Sequence, residues 1–137
     1  MQVVIDANII MAMLIKPGKP IDLFFTEELE IFAPELLFKE VEQNAHVIGT
    51  KSGLNQEDLD GLLQALKRNI TVVSEDLFID CLDAADGICP DPKDVIYFAL
   101  ALHLKCPIWT NEKQLRNQTH IKVYLTHELM NMFGLST

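Results

Sequence analysis

The chain has 137 residues and about half of them are apolar, which fits one domain, residues 1–137, with a substantial core. A net charge of −9 and a pI near 4.7 argue against a broad basic face for nucleic acid, but leave room for a local site where cations offset acids. No apolar run approaches the roughly 20 residues that span a bilayer, no signal stretch opens the chain, and three cysteines without a CxxC argue against a disulfide framework or a zinc site; a cytoplasmic setting with reduced thiols and no membrane partner is expected.

Apolar runs alternate with helical periods, which predicts an α/β fold around a parallel sheet. The strand candidates are Val3–Ile5, Glu30–Phe32, Ile70–Val73, Ile108–Thr110 and Lys122–Tyr124. Val3–Ile5 is apolar throughout, as suits a central strand covered on both faces. Asp6-Ala7-Asn8 follows it at once. Ligands of open parallel sheets bind outside the carboxyl ends of strands, so Asp6 is a site candidate; the competing role is to cap the next helix, and the site role is favoured.

Pro34 suits the first position of a helix running to about His46. Leu36, Leu37 and Val41 form its apolar stripe, and Glu40 lies on that stripe, whereas Glu35, Lys39 and Glu42 do not. An inward glutamate is costly unless paired or metal-bound, and the chain has only two arginines to pair it.

Residues 49–53 read as a loop. Asn55 can cap a helix whose inner positions are Leu59, Leu62, Leu63 and Leu66, with Leu54 packing on Leu59 as a staple. Ser74 can cap a helix over Glu75–Ala85 with Leu77, Phe78, Cys81, Leu82 and Ala85 inward, and residues 86–89 read as a loop.

Asp91-Pro92-Lys93-Asp94 fits a helix start, with Asp91 as cap and Asp94 in the first turn. Asp94 also heads the buried face of Val95, Phe98, Ala99 and Leu102. Thr110, Asn111 and Glu112 end a strand and start a short helix. Thr110 or Asn111 could cap that helix, or Thr110 and Glu112 could face Asp6 across the strand tips. Lys113 and Arg116 are candidate phosphate contacts or ordinary surface charge. Thr126 can cap a last helix through Phe133, stopped by Gly134. The histidines show no metal-binding spacing, and Met130 and Met132 read as packing residues.

The acids thus fall where strands end and helices begin. Two carboxylates about 5 Å apart repel by roughly 3 kcal/mol at an effective dielectric near 20. A fold that gathers four needs a reason, and a bound divalent cation is the usual one.

In order, VVIDANII, PELLFKEVEQN, DPKDVIYFALAL and IWTNEKQL resemble the PIN-domain family over nearly the whole chain. The resemblance implies a parallel sheet of about five strands wrapped by helices, and a nuclease site holding Mg²⁺ or Mn²⁺. By it, Asp6, Glu40 and Asp94 match the three core acids, Glu112 the fourth acidic position, Thr110 the hydroxyl before it and Asp91 an accessory acid. Asn8 joins Asp91 and Thr110 as an accessory residue beside Asp6. The fourth position is usually Asp, and Gln114 stands where a further Asp often occurs. Many small stand-alone members are toxins of toxin–antitoxin pairs that cleave RNA, so RNA, an antitoxin protein and a second copy of the chain are the expected partners. The competing expectation is a degenerate site in an RNA- or protein-binding module. Other phosphoryl-transfer folds fit poorly. A haloacid-dehalogenase-like phosphatase would want an Asp where Asn8 stands, and a receiver domain would want a phosphate-accepting Asp where Ser74-Glu75-Asp76 stands.

Overall fold

Val3, Val4 and Ile5 are completely buried. They form β1 (Gln2–Ile5), which pairs in parallel with β2 (Glu30–Pro34) on one side and β4 (Ile108–Trp109) on the other. With β3 (Ile70–Val73) and β5 (Val123–Tyr124) the computed structural model, which describes residues 1–135, has a five-stranded, all-parallel sheet of order β3-β2-β1-β4-β5. The chain builds outward from β1 to β3 and then crosses back to lay β4 beside β1. That reversal opens a crevice between the carboxyl ends of β1 and β4, where sheets of this kind bind ligands.

The helices are α1 (Ala7–Ile15), α2 (Leu36–Gln43), α3 (Ala45–Lys51), α4 (Gln56–Arg68), α5 (Leu82–Ile88), α6 (Val95–Leu104) and α7 (Thr126–Met132), with a 3-10 segment at Lys19–Phe25. Helix α6 packs on β1, β2 and β4. Five consecutive residues of it, Tyr97–Ala101, are buried, so it is apolar nearly all round, as a core helix must be. Trp109 is fully buried in β4; its ring tilts against Phe24 at 5.3 Å, and its indole N–H donates to the Thr126 hydroxyl at 2.9 Å. No helix among the described residues is long and apolar enough to cross a membrane.

Several local expectations are corrected. Pro34 closes strand β2 opposite Val73 and does not open a helix; its fixed φ suits an extended strand end as well as a helix start. The helix expected to reach His46 breaks at Asn44, whose side-chain amide donates back to the Glu40 carbonyl at 2.8 Å, a local bond that competes with helix continuation. Gly49 lies inside α3, not in a loop. The segment expected as one helix over Glu75–Ala85 is two 3-10 turns, Glu75–Leu77 and Ile79–Cys81, followed by α5, which runs through the residues expected as a loop. Only Phe78 and Ala85 of its expected inner face are fully buried, while Leu77 is 65 % exposed. With one deep anchor in its first half, the segment has no continuous apolar stripe to dock as an α-helix. Thr126 is the first residue of α7 and not its cap; its N–H is capped from a distance by the Asn111 side chain at 3.1 Å. Met130 packs in the core, but Met132 is exposed.

Candidate metal centre

Asp6 leaves β1 at the crevice and enters α1. One carboxylate oxygen accepts from the Ile9 N–H at 3.3 Å, which caps the helix. The other accepts from the Thr110 hydroxyl at 2.5 Å, across from the end of β4. Thr110 is wholly buried, and its oxygen in turn accepts from the Glu112 N–H at 3.0 Å. Two adjacent strand tips are thereby tied through one hydroxyl, and Glu112 is delivered beside Asp6. Its carboxylate accepts from the Asn8 side-chain amide.

Asp94 comes from the other side. Asp91 caps the turn Pro92–Asp94 by accepting from the Lys93 N–H at 3.1 Å. Asp94 then stands at the head of α6 with no capping hydrogen bond of its own. It is 5 % exposed, and one of its carboxylate oxygens has no hydrogen-bond partner. Asp91, Asp94 and Glu112 each bring an oxygen within 4.8 Å of the others. Glu40 projects from α2 on the side of Leu37 and Val41, as its place on the apolar stripe requires. Asp6, Glu40 and Asp94 line one cavity of about 140 Å³ with Ala7, Asn8, Lys93 and Tyr97. All four acids expected at the site, and the accessory Asp91, therefore gather around the end of β1.

The gathering has an electrostatic cost. Burial, reinforced by Glu112 and Glu40, raises the Asp6 pKa to about 6 against the lowering effect of the Thr110 and Ile9 hydrogen bonds. Burial, then Glu112, Asp6 and Asp91, raises Asp94 to about 7. Glu40 is raised too, chiefly by burial, with Tyr97 and Lys93 opposing. Without a counter-ion this cluster holds protons that ordinary carboxylates have lost.

Two residues at the site escaped sequence reading. Lys93 reaches within 3.7 Å of Asp91 and lines the cavity mouth. Tyr97 is buried beneath Glu40 and Asp6. Both were legible in principle: Lys93 sits inside Asp91–Asp94, and Tyr97 is one helical turn past Asp94 on the inward face. Of the two expected phosphate contacts, Lys113 is exposed. Arg116 is committed elsewhere, paired with Glu128 and donating to the Val123 carbonyl at 3.2 Å. Gln114, a noted departure, points its amide at Asp91 and Glu112, at 3.5 and 3.4 Å.

Whether this donor set suits a cation is answered by its chemistry. Every candidate ligand is a carboxylate oxygen, as hard cations require. The unpartnered Asp94 oxygen and the raised pKa values mark a site whose charge is only partly compensated by Lys93 and the hydrogen-bond donors around it. The residues fit a hard divalent cation.

No curated protein matches the sequence. Among solved structures, that of VapBC2 from Rickettsia felis bound to a DNA fragment from their promoter resembles this fold with a TM-score of 0.65, covering 91% of this chain and 98% of that one at 12% identity. At that identity the likeness speaks for the fold. The sequence itself carries the family: a PIN-domain model matches residues 4–127, and the chain belongs to the PIN-domain family.

Proposed function

We propose that the protein is a divalent-metal-dependent endoribonuclease, the toxin of a toxin–antitoxin pair. The observation that carries the reading is the convergence of Asp6, Glu40, Asp94 and Glu112, with Asp91, at a sheet switch point where, among the described residues, Lys93 is the one cationic side chain lining the cavity. Membership of the PIN-domain family supports nuclease chemistry.

Asp6, Glu40, Asp94 and Glu112 would supply the oxygens that hold Mg²⁺ or Mn²⁺, with Asp91 in reserve. A bound ion of this kind supplies Lewis-acid charge and a water of lowered pKa for attack on a phosphodiester. Thr110 holds Asp6 and Asn8 holds Glu112, which limits the reorganisation either acid needs on binding. Lys93 is the exposed cation at the rim, in place to meet a phosphate of the RNA in a chain otherwise strongly acidic.

The likeness to VapBC2, solved with DNA from its promoter, supports a protein partner. A groove of mixed character between α1, α2, α3 and α4, with Leu14, Phe38 and Leu63 beside Glu42, Asp60 and Lys67, offers a surface for one. The reading takes in a cytoplasmic setting and, as partners, an antitoxin protein and further copies of the chain.

One observation favours a second reading. The Gln114 amide spans Asp91 and Glu112 and partly offsets their charge without metal. That would suit a module that binds RNA or protein without cutting. The assay separates the two. Wild type should cleave RNA with Mn²⁺ and stop with EDTA, and Asp94→Asn should abolish cleavage with the fold intact, because Asp94 makes no capping bond to lose. Retained RNA binding with no Mn²⁺-dependent cleavage would favour the binding module. Cleavage that survives both EDTA and Asp94→Asn would sink the assignment.

A further inference from the structure

Each acid of the site but two has a donor. Asp6 has Thr110 and the Ile9 N–H. Glu112 has Asn8, and Asp91 has the Lys93 N–H. The carboxylates of Asp94 and Glu40 have none among the described residues. Asp94 is short and held at the head of a helix. Glu40 is on a long arm, half-buried, with rotamers to spare. A ligand with that freedom binds a metal poorly unless something else orients it.

Directly beside it lies the complementary orphan. Tyr97 is 2 % exposed, and its hydroxyl is buried without a hydrogen-bond partner. It lines the same cavity as Glu40, Asp6 and Asp94. The two groups are close enough for the hydroxyl to stabilise the Glu40 anion and for Glu40 to resist ionisation of the phenol. A buried tyrosine hydroxyl normally finds a partner, and a buried donor left without one is a standing cost. The phenol is anchored in the largely apolar helix α6, so its position is fixed by packing on the sheet. Its oxygen is sealed from solvent, which leaves it unable to touch RNA directly.

We propose that Tyr97 is a positioning residue for the metal site: its hydroxyl donates to the Glu40 carboxylate and holds that arm in the ligating pose once a cation draws the acids together. The proposal rests on the metal-site reading above. It assigns to Tyr97 the support that Thr110 gives Asp6 and Asn8 gives Glu112, so that each long or bridging acid has its own oriented donor.

The test is calorimetric titration with Mn²⁺ alone, with no RNA. Tyr97→Phe keeps the ring and the packing, so its melting temperature without metal should match or exceed wild type. Its Mn²⁺ affinity should fall about tenfold or more, the size expected when an outer partner of a ligand is removed. In a Glu40→Gln background, where the carboxylate is already gone, Tyr97→Phe should cost nothing further. Unchanged Mn²⁺ affinity in Tyr97→Phe, or the same loss in both backgrounds, would overturn the proposal while leaving the metal site standing. A wild type that binds no Mn²⁺ would overturn the metal-site reading and this inference with it.

Discussion

Asp6 uses its two oxygens for two purposes, capping α1 through the Ile9 N–H and receiving the Thr110 hydroxyl at the crevice. From sequence the two roles looked like alternatives, because local pattern sees only the Ile9 side. The Thr110 side depends on β4 lying next to β1, which no local signal states. The same holds for Asn8, whose partner Glu112 is 104 residues away. Glu112 is one of the two residues, with Gln114, at which the chain departs from its family pattern, and its longer arm is engaged by its surroundings. Its carboxylate meets Asn8 while its N–H is held by Thr110. Shortening it by one methylene would pull the carboxylate off Asn8 and away from the proposed cation site. Glu112→Asp is therefore expected to lower Mn²⁺-dependent cleavage by about tenfold or more, since a ligand displaced by around 1 Å is costly. Steady-state kinetics would show this as a fall in kcat, and a rise would mean that Glu112 detunes the site.

At the scale of elements, strands were more legible than helices. The five strand candidates appear in place within a residue or two, because short apolar runs bounded by turn residues leave little freedom. Helix caps were less so, since Ser74 and Asn55 carry the same signal. Asn55 does cap α4, accepting from the Asp58 N–H at 2.8 Å. Behind it Leu59 and Leu66 are buried, so the helix has a face to dock. Ser74 makes no capping bond, and the chain after it turns in 3-10 fashion around Phe78. Capping propensity takes effect only where an apolar stripe holds the helix in place. Asn55→Ala should cost about 1 kcal/mol of unfolding free energy, while Ser74→Ala should fall within roughly 0.5 kcal/mol of wild type. Urea melts of the two variants would decide it, and equal losses would mean that Ser74 caps in solution.

Across the whole molecule the topology decides where the acids meet. Order β3-β2-β1-β4-β5 sets the ends of β1 and β4 side by side, α2 brings Glu40 from the β2 side, and α6 brings Asp94 from beneath. The fold spends stability on this. Asp6 and Asp94 hold their protons to about 6 and 7, above the ordinary 3.8 of the unfolded chain. As pH rises past 4 the unfolded state ionises first, so the metal-free protein loses stability, and the loss is complete only above both folded values. A rise from 3.8 to about 6 corresponds to roughly 3 kcal/mol; the two acids raise each other, so their effects do not add. The metal-free melting temperature should therefore fall between about pH 5 and 7.5, and Asp94→Asn should flatten that fall. Metal should reverse it, because a cation binds the ionised acids of the folded state alone. At about 100 times its dissociation constant, Mn²⁺ contributes roughly 2.7 kcal/mol, or about 10 °C in a chain of this length. That gain should grow with pH over the window in which the metal-free protein weakens, and Asp6→Asn should remove most of it. Thermal melts at pH 5, 6 and 7.5, with EDTA and with Mn²⁺, would test the coupling. A metal-free stability that rises across this window, or a Mn²⁺ response unchanged in Asp6→Asn, would mean that the clustered carboxylates are not the cation site.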